Sequence, residues 1–281
     1  MDIRYALRRL LQNPGFALVA VLTLALGIGA NTAIFSVVNT FLIRPLPYPE
    51  PDRLAALFER NVVSDEQQMG VAAGNFLDWQ KNATTFQQIS AYGFRIQTLS
   101  SETPGVAPER AGVCSCSGNL FSTLGVNPII GRAFAPEEDR FGASGVAVIS
   151  YGLWQRQYGG APDVIGKSIR IDGEKHEVIG VMPRGFMFPH RLVEVWRPLL
   201  TLLPPQLQIR HDLHNLSVVG RLRDGVSLEQ GRANIDSISA SYKSAHPDEA
   251  TGKGATVLPL HNQLVQNVRT PLIVRLKSAF A

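Results

Sequence analysis

The sequence predicts an α+β fold, with a β-rich subdomain spliced into a βαβ-type domain and one transmembrane helix in front. Three observations predict it. No charged residue occurs between Arg9 and Arg44. Beyond that gap, strand and helix patterns follow the order βα…βαβ. The interval between residues 131 and 205 reads as β-rich, with one short helix. At 281 residues the chain can bury a substantial core. Its 45% hydrophobic content leaves room for one membrane segment but not for many.

Residues 1–13 read either as a plain positively charged flank or as a short amphipathic helix under the membrane. Asp2 is placed to cap it, Ile3, Leu7, Leu10 and Leu11 share one face, and Arg4, Arg8 and Arg9 line the other. Asn13-Pro14-Gly15 ends it. Residues 15–43 then read as a transmembrane helix, longer than the roughly 20 residues a bilayer needs. A cleaved leader is disfavoured, because the apolar run is too long and lacks an A-x-A-like site. Arg4, Arg8 and Arg9 precede the helix, whereas Arg44 is soon offset by Glu50 and Asp52. The positive-inside rule therefore predicts a cytoplasmic N-terminus and an extracytoplasmic main domain. Ala25, Gly29 and Ala33 recur at helical spacing, with Asn31 beside them. Small residues so placed let a second helix approach, and an asparagine there has the means to hydrogen-bond across the contact.

Arg44 to Pro51 alternates proline with other residues and reads as a stiff, extended exit. Residues 45–130 form the first part of the main domain. Leu54–Glu59 is a strand, Asn75 opens a helix with Phe76 and Trp79, and Thr84-x-x-Gln87 reads as a capping box for a further turn or two. Strand patterns follow at Arg95–Leu99 and Glu109–Cys116. Ser117 is the expected cap of a short helix ending at Gly125. In the inserted region, 131–205, Val146–Ile149 is a strand and Ser150 caps a helix stopped by Gly159-Gly160. Lys167–Ile171, Asp172-Gly173 and Lys175–Met182 form a hairpin. The second part, 206–265, begins with the strand Leu216–Leu222. Ser227-x-x-Gln230 caps a helix running to about Ala245, and Ala255–Leu260 is the last strand.

The net charge of +4 is carried mostly by the N-terminal arginines, so the main domain is near neutral and nothing favours a nucleic-acid partner. The two cysteines, Cys114 and Cys116, lie two apart on a strand, about 6.5–7 Å between Cα atoms, and are expected to be free packed thiols. Ala161-Pro-Asp-Val-Ile-Gly166-Lys167-Ser168 fits a permissive phosphate-loop pattern. Its lysine and serine lead into a strand rather than a helix, so nucleotide binding is not expected. His211 and His214 have no third ligand in register and read as surface residues. Glu137-Glu138-Asp139 reads as a solvated helix start. No spacing brings a nucleophile, base or carboxylate pair together, so the expectation is a protein that is not an enzyme and needs no cofactor or metal.

Beyond single motifs, Asp2-Ile-Arg-Tyr-Ala-Leu-Arg-Arg-Leu, Asn13-Pro-Gly-Phe, Leu22 through Ser36 and Arg44-Pro-Leu-Pro-Tyr48 together resemble the opening of MacB/FtsX-type ABC transporter permeases. Their likeness is greatest to the large duplicated permeases common in acidobacteria. Gly125-Val-Asn-Pro, Gly131-Arg-Ala-Phe, Ile149-Ser-Tyr-Gly-Leu-Trp154, Val178-Ile-Gly-Val-Met-Pro183 and Pro259-Leu-His261 continue it through the periplasmic core. The resemblance implies a porter part interrupted by a sabre-like part. It also implies a bacterial inner-membrane location, a separate ABC ATPase, a second permease half and a periplasmic adaptor as partners, and efflux by mechanotransmission. After Arg269-Thr-Pro-Leu the family enters a second membrane helix. Here Arg275 and Lys277 interrupt residues 266–281, so the chain reads as a fragment with only the start of that helix. The alternatives are a stand-alone anchored adaptor and a permease remnant.

Overall fold

The computed structural model describes residues 14–38, 46–61, 66–101, 107–245 and 253–264. It contains two compact units, divided after Pro45. The first unit is represented by one helix, α1 (Pro14–Val38), with no acidic or basic residue in its first or last turn. Leu18, Val19, Val21, Leu22, Leu24 and Ile28 are all exposed on it. Taken on the described residues alone, no helix is long and apolar enough to cross a membrane.

Among the described residues, the second unit is built on a mixed sheet of eleven strands. Its frame is β1 (Leu54–Asn61), α2 (Ala73–Asn82) and β3 (Phe86–Ser101), then, after a long excursion, β10 (Ser217–Leu222), α6 (Leu228–Ala245) and β11 (Lys253–Pro259). These strands lie in the spatial order β11-β1-β10-β3, and every neighbouring pair is antiparallel. That is the split βαβ arrangement, in which each helix crosses between strands that are not neighbours. The short β2 (Glu66–Met69) continues along β1 beyond β10.

The excursion carries β4 (Glu109–Cys116), α3 (Leu120–Leu124), β5 (Ile130–Gly131), β6 (Val146–Ile149), α4 (Tyr151–Tyr158), β7 (Ser168–Ile171), β8 (Glu174–Val181), β9 (Val193–Pro198) and α5 (Pro205–Gln208). It joins the frame through β3, which at 16 residues is long enough to serve both regions. One end of β3 pairs with β10 and the other with β7, while β4 runs antiparallel to its middle stretch, from Tyr92 to Leu99. Strand β9 then adds parallel to β4, which extends the same sheet.

Period-two alternation divides the core. Ala55 and Leu57 of β1 face α2 and α6 in a cluster with Phe76, Trp79, Val218 and Ile235. Leu54 and Ala56 face the opposite way, into a cluster with Tyr92, Phe121, Phe188 and Trp196. A third cluster lies under α4, where Leu153 and Trp154 cover Val113, Ile149 and Ile171.

Several local expectations are borne out. Ser150 Oγ accepts from the Leu153 amide at 3.0 Å and caps α4, which ends at Gly159 with φ 61°. Asp172 and Gly173 adopt positive φ in the β7–β8 turn. Ser227 and Gln230 form the reciprocal capping box, at 2.8 and 3.2 Å.

Two are corrected. Thr84-x-x-Gln87 starts no helix, because residues from Phe86 are strand. The amides of Thr84 and Thr85 donate to Asn234 on α6, so a distant side chain satisfies what a local cap was expected to satisfy. Ser117 does not cap α3 with its side chain either. Its hydroxyl accepts from the Ala91 amide at 2.8 Å, linking β4 to β3.

Candidate functional site

Arg4, Arg8 and Arg9 lie outside the described residues. Ala25, Gly29 and Asn31 lie on α1 and are exposed, with nothing within 4 Å of the position a side chain would take at Gly29. Ala33 falls within α1, but its side chain is outside the described residues.

The phosphate-loop look-alike runs from a single 3-10 turn, Pro162–Val164, through Gly166 at φ 87° into β7. No helix N-terminus follows its lysine and serine. Both cysteines are free and fully buried on the aromatic face of the sheet. Burial, followed by contact with Cys114, pushes the Cys116 thiol well above its ordinary pKa, which favours packing over reactivity.

The histidines and the acidic run require correction. The His211 ring stacks on Tyr242 with centroids 3.9 Å apart, and its Nε2 is 3.2 Å from Asp78. His214 Nδ1 faces Glu59 Oε2 at 3.0 Å, and Glu59 is only 2% exposed. Neither is a free surface residue. Glu59 also accepts from the Ala72 amide and the Asn75 side chain, and so anchors the start of α2 from a neighbouring strand. In the acidic run, Glu138 pairs with Arg132 at 2.7 Å, but Asp139 turns inward. It accepts from the amides of Gly118 and Leu200 at 2.7 and 2.8 Å. Burial raises its pKa despite those bonds, whereas hydrogen bonding from Arg132 lowers that of Glu138.

A set of directional contacts lies where the second unit begins. The proline-rich lead-in, residues 46–53, is held at three points. Tyr48 is buried edge-on against Phe186 and Phe188, and its hydroxyl donates to the Met187 carbonyl at 3.2 Å. Arg221 of β10, 5% exposed, donates from Nη2 to the Pro49 carbonyl at 3.0 Å and from Nε to the Thr123 carbonyl at 2.8 Å. Arg53 donates to the Leu222 carbonyl at 2.9 Å and pairs with Glu50 and Asp224 at 2.9 and 2.6 Å. Glu50 takes the left-handed conformation, φ 47°, at the bend. Sequence reading did not single out this set. The available signal was register: Arg221 shares a face with Val219, and Glu59 with Ala55 and Leu57, so each charge occupies a core position.

Residues 17–238 match the family described as MacB-like periplasmic core domain. No curated protein matches the chain. Three solved structures share its fold. A domain of a putative permease protein from Porphyromonas gingivalis is 17% identical with a TM-score of 0.58, over 75% of this chain and 92% of that one. The periplasmic region of MacB from Actinobacillus actinomycetemcomitans is 14% identical with a TM-score of 0.55, over 82% and 98%. The extracellular domain of the noncanonic ABC-type transporter YknZ from Gram-positive bacteria is 14% identical with a TM-score of 0.50, over 72% and 99%. With the family match spanning most of the chain, and a split βαβ frame in its main domain, the protein belongs to the MacB-like periplasmic core domain family.

Proposed function

We propose that this chain is the extracytoplasmic domain and first membrane helix of an ABC transporter permease, coupling ATPase-driven helix motion to motion of the domain for export. The observation that carries the reading is the lead-in, a short proline-rich segment that follows the uncharged helix α1 and is fixed at several points to a domain of this family. The sequence supports a membrane helix there, since the uncharged run between Arg9 and Arg44 exceeds the roughly 20 residues a bilayer needs. Arg4, Arg8 and Arg9 orient that helix with its N-terminus in the cytoplasm, and Ala25, Gly29, Asn31 and Ala33 meet a partner helix. The ATPase, a second permease half and a periplasmic adaptor are separate chains. The porter part comprises residues 45–130 and 206–265, and the sabre-like part residues 131–205. This chain itself binds no nucleotide, performs no catalysis and uses no cofactor.

Two measurements test the reading. A cysteine at exposed Glu174 (Glu174→Cys) is expected to react with a membrane-impermeant maleimide in intact spheroplasts, while the chain stays in the membrane through a carbonate wash. Labelling only after permeabilisation would overturn the topology. With the cognate ATPase co-expressed, ATP is expected to change the labelling rate of Leu46→Cys. An unchanged rate with an active ATPase would remove the coupling.

A further inference from the structure

We infer that Arg221 is the residue that makes the lead-in one mechanical piece with the sheet. A buried guanidinium is costly to desolvate, and only strong compensating contacts retain it. Around Arg221 those contacts are mainly neutral carbonyls from two separate segments. Nη2 meets the Pro49 carbonyl at 3.0 Å, Nη1 approaches the Glu50 carbonyl at 3.5 Å, and Nε meets the Thr123 carbonyl at 2.8 Å. Among the described residues, the carboxylate paired with it, Glu50, is 3.7 Å away and itself 62% exposed. An apolar side chain would fill this space with less desolvation. What the guanidinium adds is direction, because its planar donors join the lead-in, the last turn of α3 and β10 through one rigid group.

The surroundings fit this role. Gly125, at φ 72°, closes α3 beside the contact, and a Cβ there would come within 3.3 Å of both Arg221 Nη2 and the Pro49 ring. Thr123 passes the connection on, since its hydroxyl lies 2.7 Å from that of Ser90, and both residues are fully buried. Ser90 is on β3, the strand shared by the frame and the excursion. A displacement arriving at Leu46 is therefore delivered to β10 directly and to β3 through α3. This assignment rests on the permease reading only for the source of the displacement.

The test is to pull on the full chain in nanodiscs, with handles on cysteines introduced by Leu46→Cys and Glu174→Cys. The native thiols are buried and remain unlabelled. In the wild-type background the lead-in is expected to stay attached until the domain itself yields. In Arg221→Met it is expected to detach earlier, as a separate event at no more than half that force. Arg221→Lys, which keeps the charge and stem but loses the fork, is expected to release at an intermediate force and decides the matter if the methionine variant fails to fold. Ser150→Ala, which weakens the cap of α4 and touches nothing in the lead-in, is expected to show no early event. A folded Arg221 variant with the wild-type trace, or an early event in Ser150→Ala, overturns the inference. Pulling needs no ATPase. A clamp that holds in a chain no ATPase moves refutes the permease reading alone, and a clamp that is absent refutes this inference alone.

Discussion

The two faces of the central sheet use different chemistry to do the same packing job. The face under α2 and α6 is mainly aliphatic, with Ala55, Leu57, Ile89, Ala91, Val218 and Val257 beneath Phe76 and Trp79, and its one buried charge named above, Glu59, is bonded to the start of α2. The opposite face sets Tyr48, Tyr92, Phe121, Phe188 and Trp196 together and admits buried polar groups among them, notably Arg221, Ser90 and Thr123. A face of the first kind defines a fold at low risk, since apolar contacts tolerate repacking. A face of the second kind is costly unless every polar group is satisfied, and in return it fixes segments in one geometry. Of those polar groups Arg221 reaches the lead-in directly, and Thr123 and Ser90 connect Arg221 to β3.

The largest expected effects treat the faces alike. Trp79→Ala on the helix-covered face and Phe121→Ala on the aromatic face each remove a fully buried ring. Each is expected to cost about 3–5 kcal/mol in denaturant melts. A loss near zero for either would mean that its face repacks freely. Arg221 then separates the faces, because its replacement is expected to act on the attachment of the lead-in more than on the cooperative unfolding of the domain.

Smaller, but opposite in sign, are the effects of two adjacent carboxylates. The folded pKa of Glu138 is lowered, so its contribution is present above the unfolded pKa and is lost as pH falls through the folded one. The folded pKa of Asp139 is raised, so the folded state holds its proton more tightly and its contribution declines as pH rises through that value. Between about pH 3 and 6, the stability difference from wild type is expected to change in opposite directions for Glu138→Gln and Asp139→Asn. Parallel curves would place both groups in the same environment. At the low end, Ser150→Ala is expected to cost about 1 kcal/mol through loss of the α4 cap. Gly29→Leu is expected to weaken helix association in a membrane crosslinking assay, and unchanged crosslinking would remove that face from the proposal.

What the sequence made legible was local. Asp172-Gly173 announces a hairpin, because both residues accept positive φ. Ser227 and Gln230 announce a helix start, because their partners lie three residues apart. The same local logic failed at Thr84, whose amide is satisfied by Asn234, 150 residues later. It failed also at the histidines, since Glu59 and Tyr242 are remote from them in sequence and adjacent in space. The lead-in was legible as a stiff extended segment from its prolines alone. Its attachment was not, because Arg221 lies 172 residues from Pro49 and 98 from Thr123. A charge in a core register was the one trace of that attachment within the sequence.

The alternating prolines of the lead-in have a further consequence. From Pro45 to Pro51 every peptide bond has a proline on one side or the other. Half of the backbone amide donors that an extended segment would offer are therefore missing. A protease cleft reads its substrate as a strand, and here it finds a ladder with alternate rungs removed. The stretch joining the two units, the natural place for a nick to separate them, resists cleavage by its own covalent structure.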